Sequence, residues 1–379
     1  MPNYKSQNLL TGGVIASTTA PVAHIGQRWF NTATGVTYQY TIDAAGTTFW
    51  LDISSGGIGT SAARGIDFVG DIDPHKATNG SGLAVGSVYY NRENNRHFVC
   101  TDATGGANVW SGRYSGAGGT VTDYLLSSTY YRVHSFLSSG TFTMEDTTSC
   151  DILVVAGGGN GGGAVGGDGG GGGAGGLVAN AGVSVAKGTY AVTVGDGGGI
   201  GGASTSARGY RGSNSVLAGL YTAYGGGGGL TGNVARDAEA DGGSGGGSGS
   251  NGTVGNTPGN ASPGGQGNVG GGTSGWEGSG GGGAGAAGTT NASGSAAPGG
   301  VGLANAYRTG SDVFYAGGGG GGGDTGIGAG GNGGGGAGSG EGSNGTDGTA
   351  NTGGGGGGNG GSQNGGAGGS GIVVIRYAL

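Results

Sequence analysis

The second half of the chain alternates short apolar runs with long stretches that have no side chain at all. The runs are Asp151–Val155, Tyr190–Val194, Ser213–Leu217, Asp312–Tyr315 and Gly371–Tyr377. They are rich in β-branched and aromatic residues and have the length of strands, so they predict strands joined by glycine arcs. A flexible linker would have no use for such clusters spaced along it. The pattern therefore predicts a folded domain with essentially no α-helix.

The first half has a different pattern, and it repeats. A shift of 60 residues (86 − 26) lays Ile25-Gly26 on Val85-Gly86, Asn31 on Asn91, Thr41 on Thr101 and Trp50 on Trp110. Under the same shift Trp29 and Phe30 meet Tyr89 and Tyr90, and Tyr38 meets Phe98. Each copy predicts a three-stranded β-meander. In the first, Arg28–Phe30, Val36–Thr41 and Thr48–Leu51 are strands, with turns at Thr34-Gly35 and near Ala45-Gly46. In the second the turns fall at Glu93–Asn95 and Thr104–Gly106. A module of about 30 residues buries too little surface to stand alone, so association with other copies is expected.

Composition sharpens the contrast. Of 113 glycines, 20 precede residue 151, leaving 93 (113 − 20) for the remainder. Collagen is excluded, because it needs glycine at every third position and abundant proline. Here glycines run unbroken, as in Gly317–Gly323 and Gly353–Gly358, and the chain has only 6 prolines. Ordering so many glycines costs on the order of 1–2 kcal/mol each or more, so something must offset it. An array of polyproline-II-like glycine helices would, at about 3 residues per turn. Their outward N–H and C=O groups can bond to neighbours on several sides. A Cβ would wedge such helices apart, so alanine and serine are expected mostly at the outer faces, Ser279 for example at a surface turn.

Several segments then carry a resemblance. Tyr131–Thr143 followed by Asp151–Gly159 resembles the start of the glycine-rich domain of phage tail fibre and adhesin proteins. So do Gly188–Gly195, Gly212–Val216, Tyr315–Gly319 and Gly369–Tyr377, in the family's order, over roughly residues 128–379. The stretch Arg28–Tyr38 likewise resembles a small module of phage tail proteins. The resemblance implies a layered sandwich of glycine helices whose loops at one end carry receptor specificity on a host surface.

Charge and chemistry narrow the function. Net charge is −7 with 14 basic residues, and nucleic-acid binding needs a basic face. No apolar run approaches the length of about 20 residues that spans a membrane. The opening residues lack the apolar stretch of a secretory signal, which suits a virion protein. Cys100 and Cys150 form no metal or redox motif, and Cys100, at the mid-strand position equivalent to Tyr40, is expected as a buried free thiol, with a disulfide as the alternative. The four histidines, His24, His75, His97 and His134, are scattered and read as structural. Asp237, Glu239 and Asp241 could in principle make a glycosidase pair, but they read as a solvated loop tip.

Bulky or charged side chains within a glycine lattice must leave it and so mark loops. Arg208, Tyr210, Arg211, Arg236, Asp237, Glu239, Asp241, Trp276, Tyr307 and Arg308 are therefore the candidate receptor-binding residues. Trp276 stands without apolar neighbours and suits stacking on a sugar ring. Arg208, Arg211 and Arg308 suit the carboxylates or phosphates of a charged glycan.

The expected organisation is an attachment segment (1–24), a β-meander module (25–57), a connector (58–84), a second module (85–120) and a glycine-rich adhesin domain (121–379). The expected fold is all-β plus polyglycine-II helices, with no cofactor, no metal, no catalytic residues, no nucleic acid and no membrane insertion. The expected role is a virion tail fibre, homotrimeric, bound through its N-terminal region to other tail or baseplate proteins. It would recognise a host surface polysaccharide or other outer-surface receptor. A purely structural fibre component and a bacterial extracellular adhesin are the alternatives, with a glycan depolymerase behind both. If the modules form a threefold shaft, light scattering on the whole chain will give about three times 35.2 kDa. A monomer whose first 120 residues are folded would refute that.

Overall fold

A computed structural model describes residues 8–10, 14–17, 19–20, 27–31, 36–42, 48–52, 67–78, 82–92, 96–112, 114–163, 167–200, 208–232, 235–251, 257–291 and 294–379. The turns expected at 34–35, 45–46 and 93–95, and His24, lie outside these residues. The described structure is all-β and divides into two units, residues 1–115 and Gly116–Ala378.

The first unit contains two sheets. One has the order β1 (Asn8–Leu10), β2 (Val14–Ser17), β3 (Arg28–Asn31), β4 (Val36–Ile42), β5 (Thr48–Asp52). The other has the order β6 (Phe68–Gly70), β7 (Val88–Asn91), β8 (Arg96–Asp102), β9 (Val109–Gly112). The 60-residue repeat is carried by the strand register. Trp29 faces Tyr38 as Tyr89 faces Phe98, and Tyr40 faces Trp50 as Cys100 faces Trp110. Aromatic pairs fill each copy: Trp29 stacks on Tyr38 at 4.9 Å, and Tyr89 meets Trp110 edge-on at 5.7 Å. Each meander also gains a parallel strand, β2 beside β3 and β6 beside β7, from the stretches expected as attachment segment and connector. Parallel partners lie too far away in sequence to give a hairpin signal.

The second unit is built on two further five-stranded sheets. One runs β11 (Thr120–Leu126), β12 (Thr129–Phe136), β21 (Ile372–Ala378), β14 (Thr148–Val155), β15 (Leu177–Val185). The other runs β10 (Gly116–Ala117), β13 (Gly140–Met144), β16 (Gly188–Thr193), β17 (Ser215–Leu217), β18 (Tyr221–Ala223). A hairpin of β19 (Leu303–Asn305) and β20 (Val313–Tyr315) stands apart. All five predicted apolar runs are strands, and β21 sits between β12 and β14.

His134 fixes one end of this arrangement. The Gly116 amide donates to the Tyr377 hydroxyl at 2.9 Å, which lies 3.3 Å from His134 Nε2. The other ring nitrogen, Nδ1, is 2.8 Å from the Gly118 carbonyl. These contacts fit a neutral ring protonated on Nδ1, with the Tyr377 hydroxyl donating to Nε2. Burial agrees, lowering the pKa to about 4. Both cysteines are free and buried, and burial pushes the Cys150 thiol up to about 12.

The glycine segments leave the ends of the strands as straight rods whose hydrogen bonding repeats every third residue. Along 156–162, the amides of Ala156, Gly159 and Gly162 bond to the carbonyls of Gly176, Gly173 and Gly170. Those of Gly157 and Asn160 bond to Ser213 and Tyr210, and those of Gly158 and Gly161 to Gly369 and Gly366. One rod thus addresses three neighbours in turn, the repeat expected of a polyproline-II-like backbone. The rod at 168–176 does the same, with Gly169, Gly172 and Gly175 bonding to Asn359, Gly356 and Gly353. Gly170, Gly173 and Gly176 bond to Leu230, Gly227 and Tyr224. A Cβ built on nearly any of these glycines would lie within 3.0 Å of a neighbouring rod's backbone.

Some alanines and serines lie inside rather than at the outer faces. Ala174 and Ala316 end their rods against the sheet and join a core with Val133, Leu153, Val155, Leu177, Tyr315, Ile372 and Val374. There a Cβ meets apolar side chains instead of another rod. Ser279 is fully buried, donating to the Gly272 carbonyl at 2.6 Å and accepting from the Asn291 amide at 3.1 Å. Its hydroxyl adds to the direct bond between the Asn291 amide and the Gly272 carbonyl, 3.1 Å.

Two consequences can be measured. The amides of Gly317–Gly323 will exchange slowly with solvent, and fast exchange across them at neutral pH would refute the lattice. Gly320→Val, whose Cβ would fall on the Gly328 carbonyl, will destabilise by at least about 3 kcal/mol.

Candidate functional site

The rods have a sheet end and a far end. Val155 leaves β14 into the rod 156–162, and the chain returns through 168–176 into β15, so the intervening turn is at the far end. The Trp276 turn lies there too. Ser250, bridged to Asp168, donates to the Gly275 carbonyl at 2.8 Å, and Thr273 is bridged to Asn291. Tyr307 lies at the opposite end, between β19 and β20.

The ten candidate residues therefore fall in three places. Tyr307 belongs to the scaffold: it packs on the apolar core, and its ring covers the Arg376 guanidinium at 4.4 Å. Arg376 also lies 4.6 Å from the Tyr131 ring, pairs with Asp151 at 2.8 Å and donates to the Tyr124 hydroxyl. Arg308 sits beside it, close enough to act on the Tyr315 hydroxyl.

Arg208, Tyr210, Arg211, Arg236, Asp237, Glu239 and Asp241 make a second group on the flank. In 208–212 the amides of Gly209 and Gly212, three apart, bond into the lattice at Gly229 and Gly226. Between them Tyr210 stays in the lattice through its backbone, its carbonyl accepting from the Asn160 amide and its amide donating to the Asn160 side chain, while the residue as a whole is 56% exposed. Charge here is internally matched. Arg208 pairs with Asp237, and Arg236 grips Asp241 through bonds of 3.0 and 2.9 Å. Burial opposes the Asp241 carboxylate, but Arg236 and the Asn260 amide outweigh it and hold its pKa below the ordinary value. The Arg211 amide donates to Glu239 at 3.4 Å. These arginines are committed to partners within the chain.

Trp276 is the third place and the most exposed large apolar residue described, at 70%. Ile327 in the neighbouring far-end turn is 60% exposed. The next residue, Glu277, belongs to a buried carboxyl pair that the sequence did not single out. Glu277 accepts from the Thr325 hydroxyl at 2.8 Å through Oε1, while its buried Oε2 has no donor among ionised neighbours. Asp168, also buried, accepts from the Gly361 amide at 3.2 Å and reaches Glu277. Burial raises the Asp168 pKa to about 7 against the Gly361 bond, and the charges of Glu277 and Asp324 add to the rise. A lone acid set in the glycine run at 166–173 was the only sequence signal for it.

Among the described residues no group of three or more His, Cys, Asp or Glu could hold a metal ion. No described helix is long and apolar enough to cross a membrane. The rods, their closing strand and these turns all fall within one match, a family model for a glycine-rich domain over residues 137–378. The chain belongs to that glycine-rich domain family. No curated protein matches the chain. In this glycine-rich domain, then, the far end presents the exposed indole and the sheet end holds Tyr307 and Arg308 in place.

The raised Asp168 pKa has a sign that can be checked. The folded glycine-rich domain keeps a proton that the unfolded chain, at the ordinary 3.8, gives up. The resulting stability is full below about pH 4 and is lost as pH rises through about 7. Asp168→Asn holds the neutral form, so between about pH 5 and 8 the variant will lose a few degrees less in melting temperature than the parent. Parallel losses in the two proteins would show that Asp168 does not titrate there.

Proposed function

We propose that this chain is a virion tail-fibre protein whose glycine-rich domain binds a host surface glycan without cleaving it. The observation that supports the reading best is the exposed Trp276, held at the far end of a rigid hydrogen-bonded scaffold. Nothing in the fold requires a bare indole at that place, because the apolar core lies at the sheet end. An aromatic face among hydroxyl and carboxylate groups is suited to the apolar face of a sugar ring. Loops on a rigid scaffold can change without disturbing it, which suits a surface that must follow its receptor. The N-terminal aromatic sheets serve attachment to other tail or baseplate proteins and assembly into a trimeric shaft. The flank patch and Tyr307-Arg308 leave the proposed contact.

Trp276→Ala will weaken adsorption to host cells by about 1–3 kcal/mol in binding, if the indole is a central anchor. Its melting temperature will stay within about 1 °C of the parent's, because the ring is mostly in solvent. Unchanged adsorption together with a lowered melting temperature would assign Trp276 to the fold instead.

A further inference from the structure

We infer that the far end accepts glycans without negative charge, neutral or amino-bearing, and rejects acidic ones. The inference rests on the glycan reading above and fixes the class of sugar chain. From Asp237 to Ile375 the sequence contains one basic residue, Arg308, against Asp237, Glu239, Asp241, Glu277, Asp312, Asp324, Glu341 and Asp347. Arg308 lies in the β19–β20 loop at the sheet end, away from Trp276.

The groups facing the indole's turn are all acidic or neutral. Glu277 follows Trp276 directly, and Asp168 lies within electrostatic reach of both Glu277 and Asp324. Glu341 is bridged to Gly360, next to the Gly361 amide that bonds to Asp168. Asp324 and Glu341 are exposed. Residues 163–167, 201–207, 252–256 and 292–296 contain no charged residue, so they add no cation. On the flank, Arg208 and Arg236 pair with Asp237 and Asp241, and the Arg211 guanidinium donates to the Gly225 carbonyl at 3.4 Å.

An acidic sugar stacked on Trp276 would bring its carboxylate or phosphate towards these acids with no cation to answer it. At physiological salt such repulsion acts over about 8 Å, the scale of one or two sugar rings. Sugar hydroxyls are donors, and carboxylate oxygens accept from them. An amino sugar adds an ammonium that pairs with Asp324 or Glu341 and is attracted to the indole face. The same acids that repel one class hold the others.

The test is an array of bacterial surface polysaccharides sorted by net charge, probed with the full-length protein at about 0.15 M salt. The expected result is binding to neutral or amino-bearing chains at least tenfold above acidic chains, lost in Trp276→Ala. The double variant Asp324→Lys, Glu341→Lys, both exposed positions, will shift binding at least tenfold towards acidic chains. Binding confined to acidic chains in the parent overturns this inference and leaves the glycan reading standing. A silent array overturns the glycan reading, and this inference with it.

Discussion

Every feature of the larger unit depends on backbone amides bonding directly between neighbouring rods. A helix or sheet satisfies its backbone along one or two directions, and side chains fill the remaining space. Here the backbone is satisfied in three directions by a repeat of three residues, so no space is left for side chains. The close approach that makes the bonds possible is the same one that excludes a Cβ. Glycine is therefore needed for closeness of packing more than for conformational freedom, since few rod glycines take positive φ.

Such a lattice cannot hold itself in register by shape, because glycine carries no shape. The sheets do that. Strands β14, β15, β20 and β21 deliver the rods to fixed positions, and Ala174, Ala316 and Tyr315 seat rod ends on an apolar face. The Arg376 guanidinium, enclosed by Tyr131 and Tyr307 and paired with Asp151, ties the hairpin loop to the sheet. Conventional hydrophobic and ionic contacts set the geometry, and hydrogen bonds then propagate it outward.

Much of the fold was legible in the sequence, for definite reasons. The apolar runs stand out against glycine, so all five could be read as strands, and Trp29, Trp50, Tyr89 and Trp110 marked the repeat. The parallel strands β2 and β6 were not legible, because short segments distant from their partners have no local signature. Ser279 misled because residue type does not say whether a hydroxyl faces solvent or bonds to buried backbone. The site was half legible. Trp276 announced itself by isolation, but which turns share an end follows only from rod lengths and register. Tyr307 and Arg308 looked like loop residues because the sequence cannot show that their loop folds back on β11 and β21.

The position of β21 between β12 and β14 governs how such a molecule can be made. Arg376 and Asp151 are 225 residues apart, and the sheet face that seats the rods is incomplete until the final strand enters between its two neighbours. The loop-closure entropy of that long excursion falls due before the lattice can repay it. Folding is thereby driven towards a late, cooperative step in which sheet and rods lock together. A chain shortened by its last few residues would lose a neighbour on each side of the gap, and the whole glycine array would be left without a frame.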